Sequence, residues 1–195
     1  GETIQTIINV QAEHDDHSYL FFTTRYGVVK RTSVTEFANI RQNGLKALNL
    51  KDEDELINVF LTNGQADIII GTKMGYAVRF NENQVRNMGR AATGVRGVNL
   101  RAGDHVVGAS VISDDQEVLV ITEKGYGKRT LASEYATKGR GGKGMKTANI
   151  TEKNGPLAGL MAVNGDEDLM IITNTGVIIR TNVANISQTG RATLG

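Results

Sequence analysis

The chain has 195 residues, 39% of them hydrophobic, with no cysteine, no tryptophan and one proline, Pro156. Its 22 Lys and Arg nearly balance 21 Asp and Glu, for a net charge of +1. This allows one or two domains with a core of Val, Ile, Leu and Ala, excludes a disulfide framework and thiolate metal sites, and leaves no run near the roughly 18 apolar residues of a membrane helix.

The start, Gly1-Glu2-Thr3-Ile4, is no signal peptide and reads as a cut end of a longer protein. From there one pattern recurs about every fifty residues. An apolar run ends in Thr, a Gly follows, and then comes a short strand-like stretch carrying a base. The copies are Tyr19–Thr24 with Gly27, Asp67–Thr72 with Gly75, Val118–Thr122 with Gly125, and Leu169–Thr173 with Gly176. A second glycine keeps the same beat at Gly44, Gly94, Gly144 and Gly195. Such a repeat predicts a single all-β domain over 1–195, a propeller-like radial array with units at about 1–50, 51–100, 101–150 and 151–195. Each unit is expected to hold four strands. The first unit ends in a strand at 45–50 and the second in one at 95–100. The third reads Val106–Ile112, Glu117–Thr122, Tyr126–Leu131 and Met145–Ile150, with a hairpin turn at Ser113-Asp114-Asp115-Gln116 and a Gly turn at Glu123-Lys124-Gly125. Brief helical turns fit near residues 82–84 and 133–135, and no long amphipathic helix is evident.

Charge follows the same period. Windows 21–50, 71–101, 121–149 and 173–195 hold every Lys and Arg except Lys51 and Lys153, while the only acids in them are Glu36, Glu82, Glu123 and Glu134. Equivalent positions in a radial repeat occupy equivalent places, so the bases form a belt and the acids a separate face. A basic belt on a near-neutral protein is a footprint for a long polyanion, and the first expectation is nucleic acid. An acidic protein partner is the alternative, and ordinary solvated charge is the bland reading.

The sharpest motif is Lys138-Gly139-Arg140-Gly141-Gly142-Lys143-Gly144-Met145-Lys146. Glycines let backbone N–H groups approach phosphate oxygens, Arg140 can fork onto a phosphate, and Lys143 and Lys146 act as point charges. With no aromatic, Asn or Gln in the loop, backbone contact and bending are expected rather than base readout. The second unit offers Arg86, Arg90, Arg96 and Arg101; the first Arg41 and Lys46; the fourth Arg191. The strands after the first glycine add Lys30, Arg31, Lys128 and Arg129, with Arg79 and Arg180 equally readable as partners of acids in an adjacent repeat. Catalysis has little support. His14 and His17 flank Asp15-Asp16, but an exposed turn explains them better than a metal site, and the Gly-rich loop lacks the Gly-Lys-Ser/Thr of a nucleotide-binding loop. Tyr26, Tyr76 and Tyr126 share one repeat position, which reads as strand packing.

Several stretches resemble the C-terminal domain of the A subunit of bacterial DNA gyrase: Gly27-Val28-Val29-Lys30-Arg31-Thr32 with Thr35-Glu36-Phe37, Thr93-Gly94-Val95-Arg96-Gly97, Gly125-Tyr126-Gly127-Lys128-Arg129-Thr130, and Ile172–Gly176 with Arg180-Thr181. The resemblance covers the whole chain and favours gyrase over its relative topoisomerase IV. It implies a β-pinwheel of four-stranded blades that exchange strand material, here about four blades of a six-blade domain. It further implies double-stranded DNA bent around a positive rim. The resemblance also implies an enzyme of two A and two B subunits, a cytoplasmic, nucleoid-associated location, and no membrane. By the same resemblance, strand cleavage, ATP and Mg belong to other domains or subunits, so this domain has no cofactor and no activity alone. The family's signature box reads Gln-Arg-Arg-Gly-Gly-Lys-Gly in the first blade. Here Lys138 and Gly139 replace its first two residues and the loop sits in the third repeat. The true box is therefore expected upstream of Gly1, and DNA binding without efficient wrapping follows.

Overall fold

The repeat signature has a direct structural cause. In this computed structural model, which describes residues 17–37, 44, 46–172 and 177–191, the strand-ending Thr closes each of the first three hairpin turns twice, the fourth, at 173–176, lying outside the described residues. Its carbonyl accepts the N–H of the glycine three residues on, at 3.1 Å for Thr24 and Gly27, 3.0 Å for Thr72 and Gly75, and 3.1 Å for Thr122 and Gly125. Its hydroxyl accepts the next N–H, from Val28, Tyr76 and Tyr126. The three glycines take φ of 85°, 92° and 89°, a region glycine enters without Cβ strain.

These turns join β1 (Tyr19–Thr24) to β2 (Val28–Ser33), β4 (Asp67–Thr72) to β5 (Tyr76–Asn81), and β8 (Glu117–Thr122) to β9 (Gly127–Leu131). The other described strands are β3 (Leu56–Thr62), β6 (Val95–Arg96), β7 (Val106–Ile112), β10 (Met145–Lys146), β11 (Leu157–Val163), β12 (Asp168–Ile172) and β13 (Ile178–Asn182). They build antiparallel sheets in the orders β3-β1-β2-β6, β10-β5-β4-β7, β11-β8-β9 and β12-β13. The first three strands of the third unit start and stop close to where the sequence placed them. Short 3-10 turns fall at Glu82–Gln84 and Ala132–Glu134, and no helix among the described residues is long and apolar enough to cross a membrane.

Two expectations need correction. The fourth strands are two residues long, not six: each follows a glycine and turns away to meet the next loop, as when Asn99 N donates to Gly142 O at 2.8 Å. In the first unit, residues 46–50 form no strand, and residue 45 lies outside the described residues. A four-strand sequence unit is also not a sheet. The second unit places β4 and β5 in one sheet and lends β3 and β6 to the sheet before it. Among the described residues, only the first two sheets reach four strands. The third is extended by a bridge between Arg129 and Gln188, and the fourth is a two-stranded hairpin.

The core lies in layers between sheets. Phe21, Val29, Ile68, Ile70, Phe80 and Val98 fill the first layer. Ile69, Val118, Val120, Tyr135, Leu157 and Leu160 fill the second, and Leu119, Val163 and Val183 the third. Ile68, Ile69 and Ile70 are all fully buried, because β4 is an inner strand covered on both faces. The second glycine of the beat has a packing role. Gly94 has φ of 112°, and a Cβ there would stand 2.4 Å from Val29 O; at Gly144 it would stand 2.7 Å from Ala77 O. Gly94→Ala is therefore expected to lower stability by at least about 1–3 kcal/mol, read as a drop in urea midpoint. An unchanged midpoint would refute the packing role.

Candidate nucleic-acid interface

The loops that follow the 3-10 turns touch one another in series. Asn49 N donates to Ala92 O at 3.4 Å, Gly141 N to Gly97 O at 2.9 Å, and Asn99 N to Gly142 O. Side chains reinforce the series. Arg140 donates through Nε to Gln84 O at 3.1 Å and through Nη1 to Arg96 O at 2.6 Å. Fifty residues on, Arg191 Nη1 donates to Lys146 O at 2.8 Å. Arg101 lies 3.5 Å from the Tyr76 ring centroid and donates to Lys143 O at 2.9 Å. One arginine position thus grips the carbonyl of the short strand in the preceding loop, joining neighbouring loops into a continuous rim.

Lys138, Arg140, Lys143, Lys146, Arg86, Arg96 and Lys46 are exposed on this rim, and Arg90 and Arg191 are half-buried. Arg41 lies outside the described residues. Arg140 differs from the sequence reading in one respect: one edge of its guanidinium is committed to backbone carbonyls, so only its other edge can serve a phosphate.

Of the expected rim bases, Lys30, Arg31 and Lys128 are buried and Arg129 is half-buried. Lys30 is 0% exposed and Lys128 1%. Lys30 Nζ donates to Ala47 O and Arg90 O, both at 2.5 Å. Lys128 Nζ donates to Gly190 O at 2.9 Å and Arg191 O at 2.7 Å. Burial pushes both ammonium groups down to about 8; Arg90 adds to this at Lys30, and at Lys128 Glu134 opposes it while Arg191 adds to it. Arg31 is buried, stacks 4.4 Å from the Tyr19 ring centroid and donates to Glu82 Oε1 at 3.1 Å. Arg129 pairs with Glu117 Oε1 at 2.8 Å and donates to Ile186 O. Both hydrophobic packing and these partners turn the four side chains away from any large ligand.

Arg79, read as open between two roles, is structural. It binds Asp67 at 2.9 Å, Asp114 at 2.8 Å and the carbonyls of Ala132 and Tyr135. Burial works against the Asp67 carboxylate, but hydrogen bonds from Thr137, Asn81 and Arg79 outweigh it and hold the group below its ordinary value. Arg180 is exposed and pairs with Asp168 at 2.8 Å. A signal for the buried lysines was present in the repeat itself: one equivalent is Val78, which is buried, whereas Ile179 at the fourth equivalent is exposed.

Of the two histidines weighed for a metal, His14 lies outside the described residues and His17 is exposed; among the described residues no cluster of three or more His, Asp or Glu could hold an ion.

The family model of the DNA gyrase C-terminal domain, beta-propeller, matches residues 18–63, 66–113, 116–164 and 167–195. The chain belongs to this family. Within the gyrase C-terminal domain family, it is 79% identical over 194 residues to the A subunit of DNA gyrase from Streptococcus pneumoniae, covering 100% of this chain and 24% of that protein. It thus spans about a quarter of that relative's length. The crystal structure of the C-terminal domain of DNA topoisomerase IV superposes with a TM-score of 0.86 at 29% identity, over 92% of this chain and 56% of that one. A DNA gyrase A C-terminal domain superposes with 0.84 at 27% identity, over 93% and 61%. The fold does not separate the two families; sequence identity places this chain with the gyrase A proteins. The gyrase-family segments part in the turns between β3 and β4, β7 and β8, and β11 and β12, so that each keeps the longer strands of one sheet together while β6 and β10 cross to the sheet before.

Proposed function

We propose that this chain is a duplex-DNA-binding and DNA-bending module of a type II topoisomerase, reading phosphates rather than bases and performing no chemistry alone. The observation that carries this reading is the latched rim, on which Lys138, Lys143 and Lys146 stand exposed beside Arg86 and Arg96, with no acid between residues 138 and 146. Exposed cations on successive linked loops can neutralise a phosphate backbone that follows the rim, and those contacts offset the cost of a bend. Glycines at 139, 141, 142 and 144 leave the loop backbone open to close approach. Within the full protein, we place it in an A-subunit dimer assembled with B subunits in the cytoplasm, where strand cleavage and the ATP and Mg2+ chemistry lie in other domains and the bent DNA is presented for supercoiling.

The test is a DNA titration across salt concentrations, combined with religation of nicked circles in the presence of the protein. Contacts to about six phosphates give a slope of log affinity on log salt of about −5. A slope near zero, or equal affinity for a soluble acidic polypeptide at matched salt, would overturn the DNA reading. A linking-number change assigns chiral wrapping to these four units, whereas salt-sensitive binding without one limits them to bending.

A further inference from the structure

The position three residues after each hairpin glycine carries Lys30, Val78, Lys128 and Ile179 in the four repeats. Where lysine stands, its ammonium is enclosed by carbonyls of the rim loops: Ala47 and Arg90 around Lys30, Gly190 and Arg191 around Lys128. Lys30 therefore ties two successive loops together. Where Val78 stands, the loop above it is the Gly-rich 138–144 segment, and a pocket of about 260 Å3 opens between them, lined by Val78, Lys138, Gly142, Lys143, Gly144 and Met145.

We propose that Lys30 and Lys128 are positioning residues that fix the neighbouring rim loops in DNA-binding geometry, and that loop 138–144, which has Val78 in place of that lysine, is held by the arginine latches and backbone hydrogen bonds alone. The inference rests on the DNA-rim reading for its purpose, but the anchor itself is a property of the protein without DNA. A buried ammonium that donates to two carbonyls fixes the path of chain segments that make few other contacts, and a loop held in its bound shape loses less entropy on binding. An apolar Val at the same place supplies no such donor.

The experiment uses the full 195-residue chain. In the free protein, Lys30→Met with Lys128→Met is expected to speed amide exchange at 90–93 and 190–191 by at least about tenfold, while Val78→Lys slows exchange across 139–144. Unchanged exchange in both variants overturns the anchor. If the double variant fails to fold, Val78→Lys still decides, because a purely packing role predicts no gain of protection from an added lysine. With DNA, the double variant is expected to bind about two- to tenfold more weakly at fixed salt. Its salt slope is expected to match that of the wild type, because neither ammonium touches a phosphate. A slope smaller in magnitude by about one or two marks direct phosphate contact and overturns the positioning role. A wild-type chain that does not bind DNA refutes the rim reading and leaves the exchange results to judge the anchor.

Discussion

Glu82→Ala is expected to cost about 3–5 kcal/mol, the scale for stripping one partner from a buried ion pair. Glu82 is 0% exposed. Its carboxylate accepts from Arg31 Nη1 on β2 at 3.1 Å, from Thr62 Oγ1 on β3 at 2.8 Å and from Ala66 N at 2.8 Å. Arg31 and Thr62 belong to the first sheet, whereas Glu82 begins the 3-10 turn at the end of β5 in the second. One carboxylate thus sews two sheets together. Removing it leaves a guanidinium in a site with little water and an amide and a hydroxyl without their acceptor. Urea unfolding measures the loss. Arg31→Met combined with Glu82→Leu is expected to recover a good part of it, because removing both charges also removes the desolvation cost. A loss below about 1 kcal/mol for the single change would refute the role given to Glu82.

Replacing Lys138, Lys143 and Lys146 together by Ala is expected to reduce the magnitude of the salt slope by about 2.7, which is about 0.9 for each phosphate left without its lysine. At 0.1 M salt that corresponds to a loss in DNA affinity of order 10² to 10³. The three side chains are exposed, and their loss leaves the latch of Arg140 on Arg96 O in place. The loss should be equal on unrelated duplex sequences, because lysine ammonium groups meeting phosphates carry no base information. An unchanged slope would place the DNA elsewhere on the protein. A loss confined to one sequence would show base readout.

Most of the architecture was legible in the sequence because the structure repeats the same local solution. The Thr–Gly turn recurs with the same two hydrogen bonds, and β7 and β8 fall at the residues their apolar and β-branched runs mark. Strand exchange was not legible from the residues alone. Periodicity fixes where strands lie along the chain, but not which neighbour each one pairs with, and β3 reads the same whether it joins β1 or β4. The rim was read in part. Lys138 and Lys143 lie in the Gly-rich loop and Lys146 on the short strand β10 that follows it, and all three are exposed. Lys30 and Arg31 sit on the inner strand β2, and Lys128 and Arg129 on β9 where the bridge to Gln188 covers its edge; there long cationic side chains are held by carbonyls or carboxylates. A count of charge along the chain cannot tell a phosphate from a carbonyl as the partner. The apolar residue at position 78, buried at the equivalent place, was the clue that could.

The sharing of strands leaves the chain without a clean seam. A cut between 100 and 101 would take β7 and β10 from the second sheet, and a cut in the turn at 113–116 would still take β10. In tandem arrays whose repeats are self-contained, units can melt one at a time; here the coupling between neighbours is built from the same strands that make each sheet. Nearest-neighbour terms therefore dominate intrinsic ones, which drives unfolding toward a single cooperative step. The weave also has a mechanical meaning. Any load on the loop at 138–146 enters the second sheet through β10 while the same repeat carries β8 and β9 in the third, so tension on one part of the rim is borne by two layers at once.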